Sequence, residues 1–99
     1  MERKVEVEWA IRAQADLENI YNYLLIHWAE KEADHFLELA LEFQNLIAQH
    51  PAAFPKSRKR RAYRIGLVHR YVTALYIVDS DKITILSLID NRSKSKSRL

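Results

Sequence analysis

The chain opens with a short run in which apolar and charged side chains alternate. Val5, Val7 and Trp9 are separated by Glu6 and Glu8, which is the two-residue period of a β-strand with one buried face. The apolar spacing then changes to three and four residues, the period of an amphipathic helix. This second pattern predicts a helix over residues 10–28, with a stripe formed by Ala10, Ala13, Leu17, Ile20, Tyr21, Leu24 and Trp28.

A second amphipathic pattern follows residues 29–32, which are polar enough to predict a turn. The second helix is expected to stop before Pro51, because proline disfavours helical geometry in the preceding residue and lacks a backbone N–H. Two amphipathic helices with a short connection favour an antiparallel hairpin. The second stripe consists of Ala33, Phe36, Leu37, Ala40, Phe43 and Ile47.

Three segments after residue 62 have the composition of strands. Residues 63–67 alternate apolar with polar or small side chains, and residues 71–78 and 82–89 are mostly apolar, β-branched or aromatic. Tyr76 lies in the most apolar segment, which favours packing over base stacking. The only glycine, Gly66, is expected near the turn between the first two segments. The order strand–helix–helix–strand–strand–strand predicts an α+β fold, with the helical hairpin packed on one face of a mainly antiparallel sheet.

One core is expected between hairpin and sheet. A chain of 99 residues is large enough for one such core and too small for two, so residues 1–99 are interpreted as a single domain. The polar and basic tail at residues 93–99 is expected to be flexible. The expected core residues are Trp9, Leu17, Ile20, Leu24, Phe36, Ala40, Phe43, Leu75, Ile77, Ile85 and Leu88.

Composition excludes several classes of protein. A chain that is 48% hydrophobic and 29% charged is typical of folded rather than disordered proteins. The absence of cysteine rules out disulfides and thiolate chemistry, which agrees with a reducing compartment. No apolar run is long enough to span a membrane, and the N-terminus lacks the apolar segment of a signal peptide. We therefore expect a cytoplasmic protein with no membrane association.

Charge divides the chain at its middle. Residues 1–50 carry four basic and ten acidic side chains, a net charge of −6, whereas residues 51–99 carry twelve basic and three acidic ones, a net charge of +9. The total of +3 hides this asymmetry. Such a division suggests one face for a polyanion or an acidic protein and another that avoids it. The densest basic run, residues 56–61, lies between the helical and the strand halves.

Metal and cofactor sites are not indicated. The four histidines are scattered, and none pairs with a carboxylate at a spacing typical of metal ligands. One glycine is too few for a glycine-rich phosphate loop. We therefore expect no metal, no cofactor and no small-molecule substrate.

Basic residues on or beside neighbouring strands are the best candidates for chemistry. Guanidinium groups bind phosphate at two points and stabilise the charge that develops during phosphodiester cleavage. If Arg64 and Arg92 project from the sheet face opposite the helices, they would converge with Arg61 on a cationic patch. A solvated loop explains the basic run equally well, and both interpretations stay open. The candidate target-binding residues are Lys59, Arg60, Arg61, Arg64, Arg70 and Arg92.

Four segments in this order resemble the RelE/ParE toxin superfamily. Residues 13–23 match an A-x-x-D-L-x-x-I-x-x-Y helix, residues 46–51 resemble the proline-terminated helix end, and an arginine-bearing strand region ends in Tyr76. Residues 88–92 resemble a last strand closed by an acidic residue and an arginine. The resemblance covers nearly the whole chain.

The resemblance implies the toxin of a type II toxin–antitoxin pair, neutralised by an antitoxin whose C-terminal segment wraps it. RelE-like members cleave mRNA in the ribosomal A site, with basic residues and a tyrosine or histidine near the chain end; here Arg61, Arg64 and Arg92 would be the nuclease residues. ParE-like members inhibit DNA gyrase and lack the nuclease residues.

After Arg92 the tail reads Ser-Lys-Ser-Lys-Ser-Arg-Leu, which contains no group suited to general acid–base catalysis near neutral pH. This departure favours a ParE-like, gyrase-directed toxin. The alternatives are a RelE-like mRNA endonuclease, a non-toxic nucleic-acid-binding module, and a degenerate toxin kept only as part of an antitoxin complex.

An antitoxin-binding surface is also expected. Leu37 and Leu41 widen the apolar surface of the second helix beyond what one neighbouring helix covers. Acidic side chains of an antitoxin would pair with Arg58, Arg61 and Arg64.

Overall fold

The computed structural model describes residues 5–92, so the expected flexibility of residues 93–99 lies outside the described residues. The elements are β1 (Glu6–Trp9), α1 (Ile11–His27), α2 (Glu30–Gln49), β2 (Arg64–His69), β3 (Val72–Asp79) and β4 (Lys82–Asp90). This order confirms the predicted α+β fold. Neither of these two helices is long and apolar enough to cross a membrane.

The turn predicted over residues 29–32 is shorter than expected. Helix α2 already begins at Glu30, and Glu30 and Glu32 lie in its first turn. Negative side chains at a helix N-terminus interact favourably with the helix dipole. The polar composition of this segment therefore reflects a helix start rather than a turn.

The four strands form one sheet in the order β1-β4-β3-β2. Strand β3 pairs antiparallel with both β2 and β4, whereas β1 pairs parallel with β4. Strand β4 carries one extra residue, Leu86, because Ser87 pairs with Leu75 while Ile85 pairs with Tyr76. A bulge of this kind changes which residues of the strand face inward.

The core lies between the helical hairpin and one face of the sheet. Leu75 and Ile77 were predicted to belong to it, and this prediction was wrong. Both are half-buried on the opposite face, because the fully covered residues of β3 toward the helices are Val72, Ala74 and Tyr76. Trp9 and Leu17 pack at the margin of the core. The other predicted members are buried: Ile20, Leu24, Phe36, Ala40, Phe43, Ile85 and Leu88.

Gly66 lies within β2, opposite Ala74, and not beside a turn as expected. A Cβ atom at this position would be 2.7 Å from Cε1 of Phe43 and 2.8 Å from the ring of Phe54. Glycine is required here because a helix and a loop both approach the strand closely.

Tyr76 connects the middle of the sheet to the end of α2. Its side chain is fully buried, and its ring packs edge-on against Phe43 with centroids 5.9 Å apart. The phenol donates a hydrogen bond to the Pro51 carbonyl at 2.9 Å. Burial raises the pKa of Tyr76, against smaller lowering effects of a hydrogen bond with the Phe54 backbone and the charge of Arg64. Tyr76 is therefore a packing residue, as its position in the most apolar strand predicts.

Candidate functional site

Residues 56–61, called here the basic loop, form a loop just before β2 that is held by hydrogen bonds. The Ser57 amide donates to the Tyr63 carbonyl at 2.8 Å, and the Tyr63 amide donates to the Arg60 carbonyl at 2.9 Å. The Ser57 hydroxyl is buried and accepts a hydrogen bond from the Arg60 amide at 3.2 Å. This frame holds the backbone in place while the basic side chains of the loop are exposed to solvent.

The basic loop carries five exposed cations, namely Lys56, Arg58, Lys59, Arg60 and Arg61. Arg60 also lies over the ring of Tyr63, with its guanidinium carbon 5.8 Å from the ring centroid. Arg58 and Arg61 form no ion pair with any residue in the range 5–92. Their charges are therefore available to a polyanion or to acidic side chains of a partner.

Arg64 is half-buried and has a structural partner. It pairs in register with Tyr76, and side chains of directly paired residues project from the same face of a sheet. Its Nη1 group donates to the Phe54 carbonyl at 2.7 Å. Arg64 thus holds the loop after α2 on the helix side of the sheet.

Arg92 follows β4 and is held by Asp90 and two tyrosines. Its Nε and Nη2 groups donate to the two carboxylate oxygens of Asp90 at 3.1 and 3.0 Å. The guanidinium carbon lies 5.1 Å from the ring centroid of Tyr23 and 5.2 Å from that of Tyr71. The hydrogen bond with Asp90 raises the pKa of Arg92. The orientation of this guanidinium is therefore fixed by its surroundings.

Arg92 lines a cleft between the tip of the helical hairpin and the end of the sheet. We call this the cationic cleft. Its volume is about 290 Å³. The hairpin contributes Leu24, Trp28, Glu32 and His35, and the sheet end contributes His69, Arg70, Tyr71 and Arg92.

The basic residues lie at two separate sites rather than in the single cationic patch that was one of the two interpretations left open by the sequence. Arg64 is the first residue of β2, whereas Arg70 directly follows its last residue. A strand of this length separates its two ends by roughly 16 Å. Arg70 and Arg92 meet in the cationic cleft, while Arg64 lies beside the basic loop. Arg64 and Arg92 both turn toward helix-side groups, so they do not converge with Arg61 on the opposite face.

His69 lines the cationic cleft but is not among the site residues predicted from the sequence. Its Nδ1 atom accepts a hydrogen bond from the Tyr71 amide at 3.3 Å, so the neutral ring carries its proton on Nε2. Burial lowers the pKa of His69, and the positive charges of His35, Arg92 and Arg70 lower it further. The sequence signal was the tripeptide His-Arg-Tyr at the junction of β2 and β3, but the placement of His69 and His35 in one cleft depends on the tertiary structure.

An apolar groove lies between α2 and the edge strand β1. It has a volume of about 610 Å³ and includes Leu37 and Leu41, the two residues expected to bind an antitoxin. Trp9 forms part of its floor and donates from Nε1 to Oε1 of Gln44 at 2.9 Å. The side chains of Leu37 and Leu41 are 36% and 59% exposed. The groove is therefore an apolar surface that the described residues leave open to solvent.

No group of three or more histidine, cysteine, aspartate or glutamate side chains within residues 5–92 has the arrangement of a metal site.

Comparisons with known proteins agree with the fold and the motifs. The family model for the ParE toxin of the type II toxin–antitoxin system parDE matches residues 7–95. No curated protein matches the chain.

Several solved structures have a similar fold. The chromosomal ParDE toxin–antitoxin system from P. aeruginosa is 19% identical, with 88% of this chain and 96% of that chain covered and a TM-score of 0.75. The RelBE2 toxin–antitoxin complex from Mycobacterium tuberculosis is 15% identical, with 89% and 99% covered and a TM-score of 0.62. The YoeB dimer from Staphylococcus aureus is 17% identical, with 86% and 94% covered and a TM-score of 0.59. At these identities the likeness concerns the fold, and the family model carries the assignment. The chain belongs to the ParE toxin family of type II toxin–antitoxin systems.

Proposed function

We propose that this toxin acts without cleaving RNA, by binding an essential cellular target such as DNA gyrase, and that a cognate antitoxin neutralises it. The observation that supports the non-catalytic mode is that Arg64 and Arg92 are both engaged within the fold. Arg64 is bound to the Phe54 carbonyl and Arg92 to the carboxylate of Asp90. Because these two arginines also lie near opposite ends of β2, one phosphate group would not contact both.

The basic loop is the target-binding surface in this proposal. Its exposed cations are Lys56, Arg58, Lys59, Arg60 and Arg61, and the hydrogen-bonded frame below them limits the entropy that binding would cost. Contacts made by exposed charges weaken as salt concentration rises. Substituting Arg61 by alanine should therefore weaken target binding more at low salt than at high salt.

Antitoxin binding is proposed at two places. The apolar groove would accept apolar side chains at Leu37 and Leu41, and the basic loop would accept acidic side chains at Arg58 and Arg61, with Arg64 at its edge. The ParDE and RelBE2 structures named above are toxin–antitoxin systems, which supports this class of partner. The groove lies beside β1 and the basic loop beside β2, at the two edges of the sheet. An extended antitoxin segment of about ten residues reaches roughly 33 Å, enough to contact both places.

Leu41 and Leu67 provide a matched test of the antitoxin site, because both side chains are 59% exposed. Leu41 lines the apolar groove, whereas Leu67 lies on β2. The toxin is co-expressed with the product of the adjacent gene, and the complex is isolated at moderate salt. Leu41→Asp should disrupt the complex and Leu67→Asp should preserve it. If both variants retained the antitoxin equally, the apolar groove would not be an antitoxin-binding site.

The target is tested by inducing the chain alone and measuring growth, DNA supercoiling and protein synthesis separately. The proposal expects growth arrest with impaired supercoiling, and no cleavage of mRNA by the purified chain on programmed ribosomes. Arrest of protein synthesis with codon-specific cuts in A-site mRNA would instead establish the RelE-like mode. Normal growth would favour a non-toxic nucleic-acid-binding module or a degenerate toxin.

One observation favours RelE-like cleavage as a second candidate. The imidazole of His69 lies in the same cleft as Arg70 and Arg92, which provides the titratable group that the tail lacks. A histidine near two guanidinium groups has the composition of a phosphodiester-cleaving site. If cuts in A-site mRNA are seen, His69→Asn should abolish them while leaving the fold intact.

A further inference from the structure

The cationic cleft combines three kinds of group. Arg70 supplies a positive charge, and Arg92 supplies a guanidinium group whose charge is shared with Asp90. Trp28 supplies an exposed aromatic surface, and Glu32 supplies a hydrogen-bond acceptor. Its volume of about 290 Å³ is near the lower limit of about 300 Å³ for small-molecule sites. We propose that this cleft binds one nucleotide 5′-monophosphate, a property that requires neither the antitoxin nor the cellular target proposed above and that differs from the sequence-based expectation of no small-molecule substrate.

The phosphate end of the ligand is assigned to the sheet side of the cleft. The bond between Arg92 and Asp90 uses Nε and one hydrogen of Nη2, so Nη1 remains available among the described contacts. Arg70 lies with its guanidinium carbon 5.4 Å from the ring centroid of Tyr71 and forms no ion pair with a residue of the described range. His69 adds an N–H donor at Nε2, because its Nδ1 atom is already an acceptor. Three donors of this kind suit a phosphate dianion.

The nucleoside end is assigned to the hairpin side. Trp28 caps the end of α1 and is 59% exposed, which leaves an indole face on which a base can stack. Glu32 lies one helical turn before Phe36 on α2 and lines the same cleft. A carboxylate accepts hydrogen bonds from ribose hydroxyls, as acidic residues do in dinucleotide sites. A free phosphate would use only the sheet side, whereas a nucleotide would use both sides.

Binding is measured by calorimetry on the purified full chain with AMP as the probe, beside adenosine, inorganic phosphate and a short 5′-phosphorylated oligonucleotide. Arg70→Gln removes a charged donor from an exposed position, and Trp28→Leu removes the stacking surface while keeping an apolar side chain. Arg58→Gln is the matched control, because Arg58 is an exposed arginine in the basic loop. Thermal unfolding verifies that each variant is folded. None of these measurements requires gyrase, ribosomes or an antitoxin, so their outcome is separate from that of the proposed function.

We expect AMP to bind more tightly than adenosine or inorganic phosphate. Arg70→Gln should weaken AMP binding about 10- to 100-fold, as expected for the loss of a charge-assisted hydrogen bond. Trp28→Leu should also weaken AMP binding, and Arg58→Gln should leave it unchanged. Binding of the oligonucleotide alone, with the same dependence on Arg70 and Trp28, would support the site and identify a strand end as the source of the nucleotide. The proposal is overturned if no probe binds, if inorganic phosphate binds as tightly as AMP, or if Arg58→Gln has the same effect as Arg70→Gln.

Discussion

The carboxylate of Asp16 on α1 accepts a hydrogen bond from the backbone amide of Leu88 on β4, at 3.0 Å. Strand β1 pairs with β4 only as far as Ile85, so the amide of Leu88 has no strand partner on that side. Asp16 takes the place of the missing strand, and Arg12 donates to its other carboxylate oxygen at 3.3 Å. The aspartate of the A-x-x-D-L motif therefore has a structural function: it connects the first helix to the bulged part of the last strand.

Removing this carboxylate should destabilise the fold. Asp16→Ala leaves a half-buried backbone amide without a partner, which costs about 1–3 kcal/mol. Asp16→Asn keeps an acceptor oxygen and should cost less. Urea denaturation gives both values, with Glu18→Ala as the control because Glu18 is an exposed acidic residue of the same helix. Equal stability of Asp16→Ala and Glu18→Ala would show that the hydrogen bond contributes nothing.

Gly66→Ala should destabilise the protein, although alanine is ordinarily tolerated better than glycine in a strand. The added Cβ would lie 2.7 Å from Cε1 of Phe43 and 2.8 Å from the ring of Phe54. Overpacking of this kind costs about 1–3 kcal/mol. Because Phe54 is only half-buried, the double variant Gly66→Ala with Phe54→Leu should recover part of the loss. A stabilising Gly66→Ala would contradict the close approach.

The two faces of β3 should respond differently to truncation. Phe43→Ala opens a cavity on the helix side of the sheet and should cost about 3–5 kcal/mol. Ile77 lies on the other face and is only half-buried, so Ile77→Ala should cost roughly half as much or less. Denaturant midpoints of the two variants give the comparison. If Ile77→Ala lowered the free energy of unfolding as much as Phe43→Ala, Ile77 would have to be counted as a core residue.

Stability should fall in mildly acidic solution because of His69. Its folded-state pKa lies below the ordinary value, owing first to burial and then to the charges of His35 on α2, of Arg92 after β4 and of adjacent Arg70, with Asp90 acting in the opposite direction. The unfolded chain therefore binds a proton at a pH where the folded protein does not. The free energy of unfolding should decrease as the pH falls below about 6.5.

Two measurements test this pH dependence. His69→Asn retains an acceptor for the Tyr71 amide and should flatten the slope of stability against pH between about pH 6.5 and the folded-state pKa. An NMR titration of the His69 ring should give a midpoint below about 6.5. A midpoint above this value, or the same slope in the variant, would contradict the prediction.

The local pattern of the sequence was sufficient for the elements and the family. Period-two and helical spacing predicted β1, both helices and the three later strands. These periods follow from backbone geometry once one face of an element is buried, so they can be recognised without knowing which element packs against that face. Proline marked the end of α2, since its effect on the preceding residues is local. The family motifs lie in the same segments, and for Asp16 and Tyr76 their hydrogen bonds show the physical reason.

Which face of each strand is buried was decided only by the tertiary structure. In a strand with apolar residues on both faces, such as β3, the sequence pattern is equally consistent with Tyr76 or with Leu75 in the core. The bulge at Leu86 changes the inward face of β4, and no local signal at that position predicts it. The same holds for the basic residues: the sequence places Arg64 on one predicted strand and Arg92 after another, but strand direction and register place them at different ends of the sheet. The cationic cleft brings together residues of both helices and the sheet end, contacts that depend on long-range packing and are absent from any local pattern.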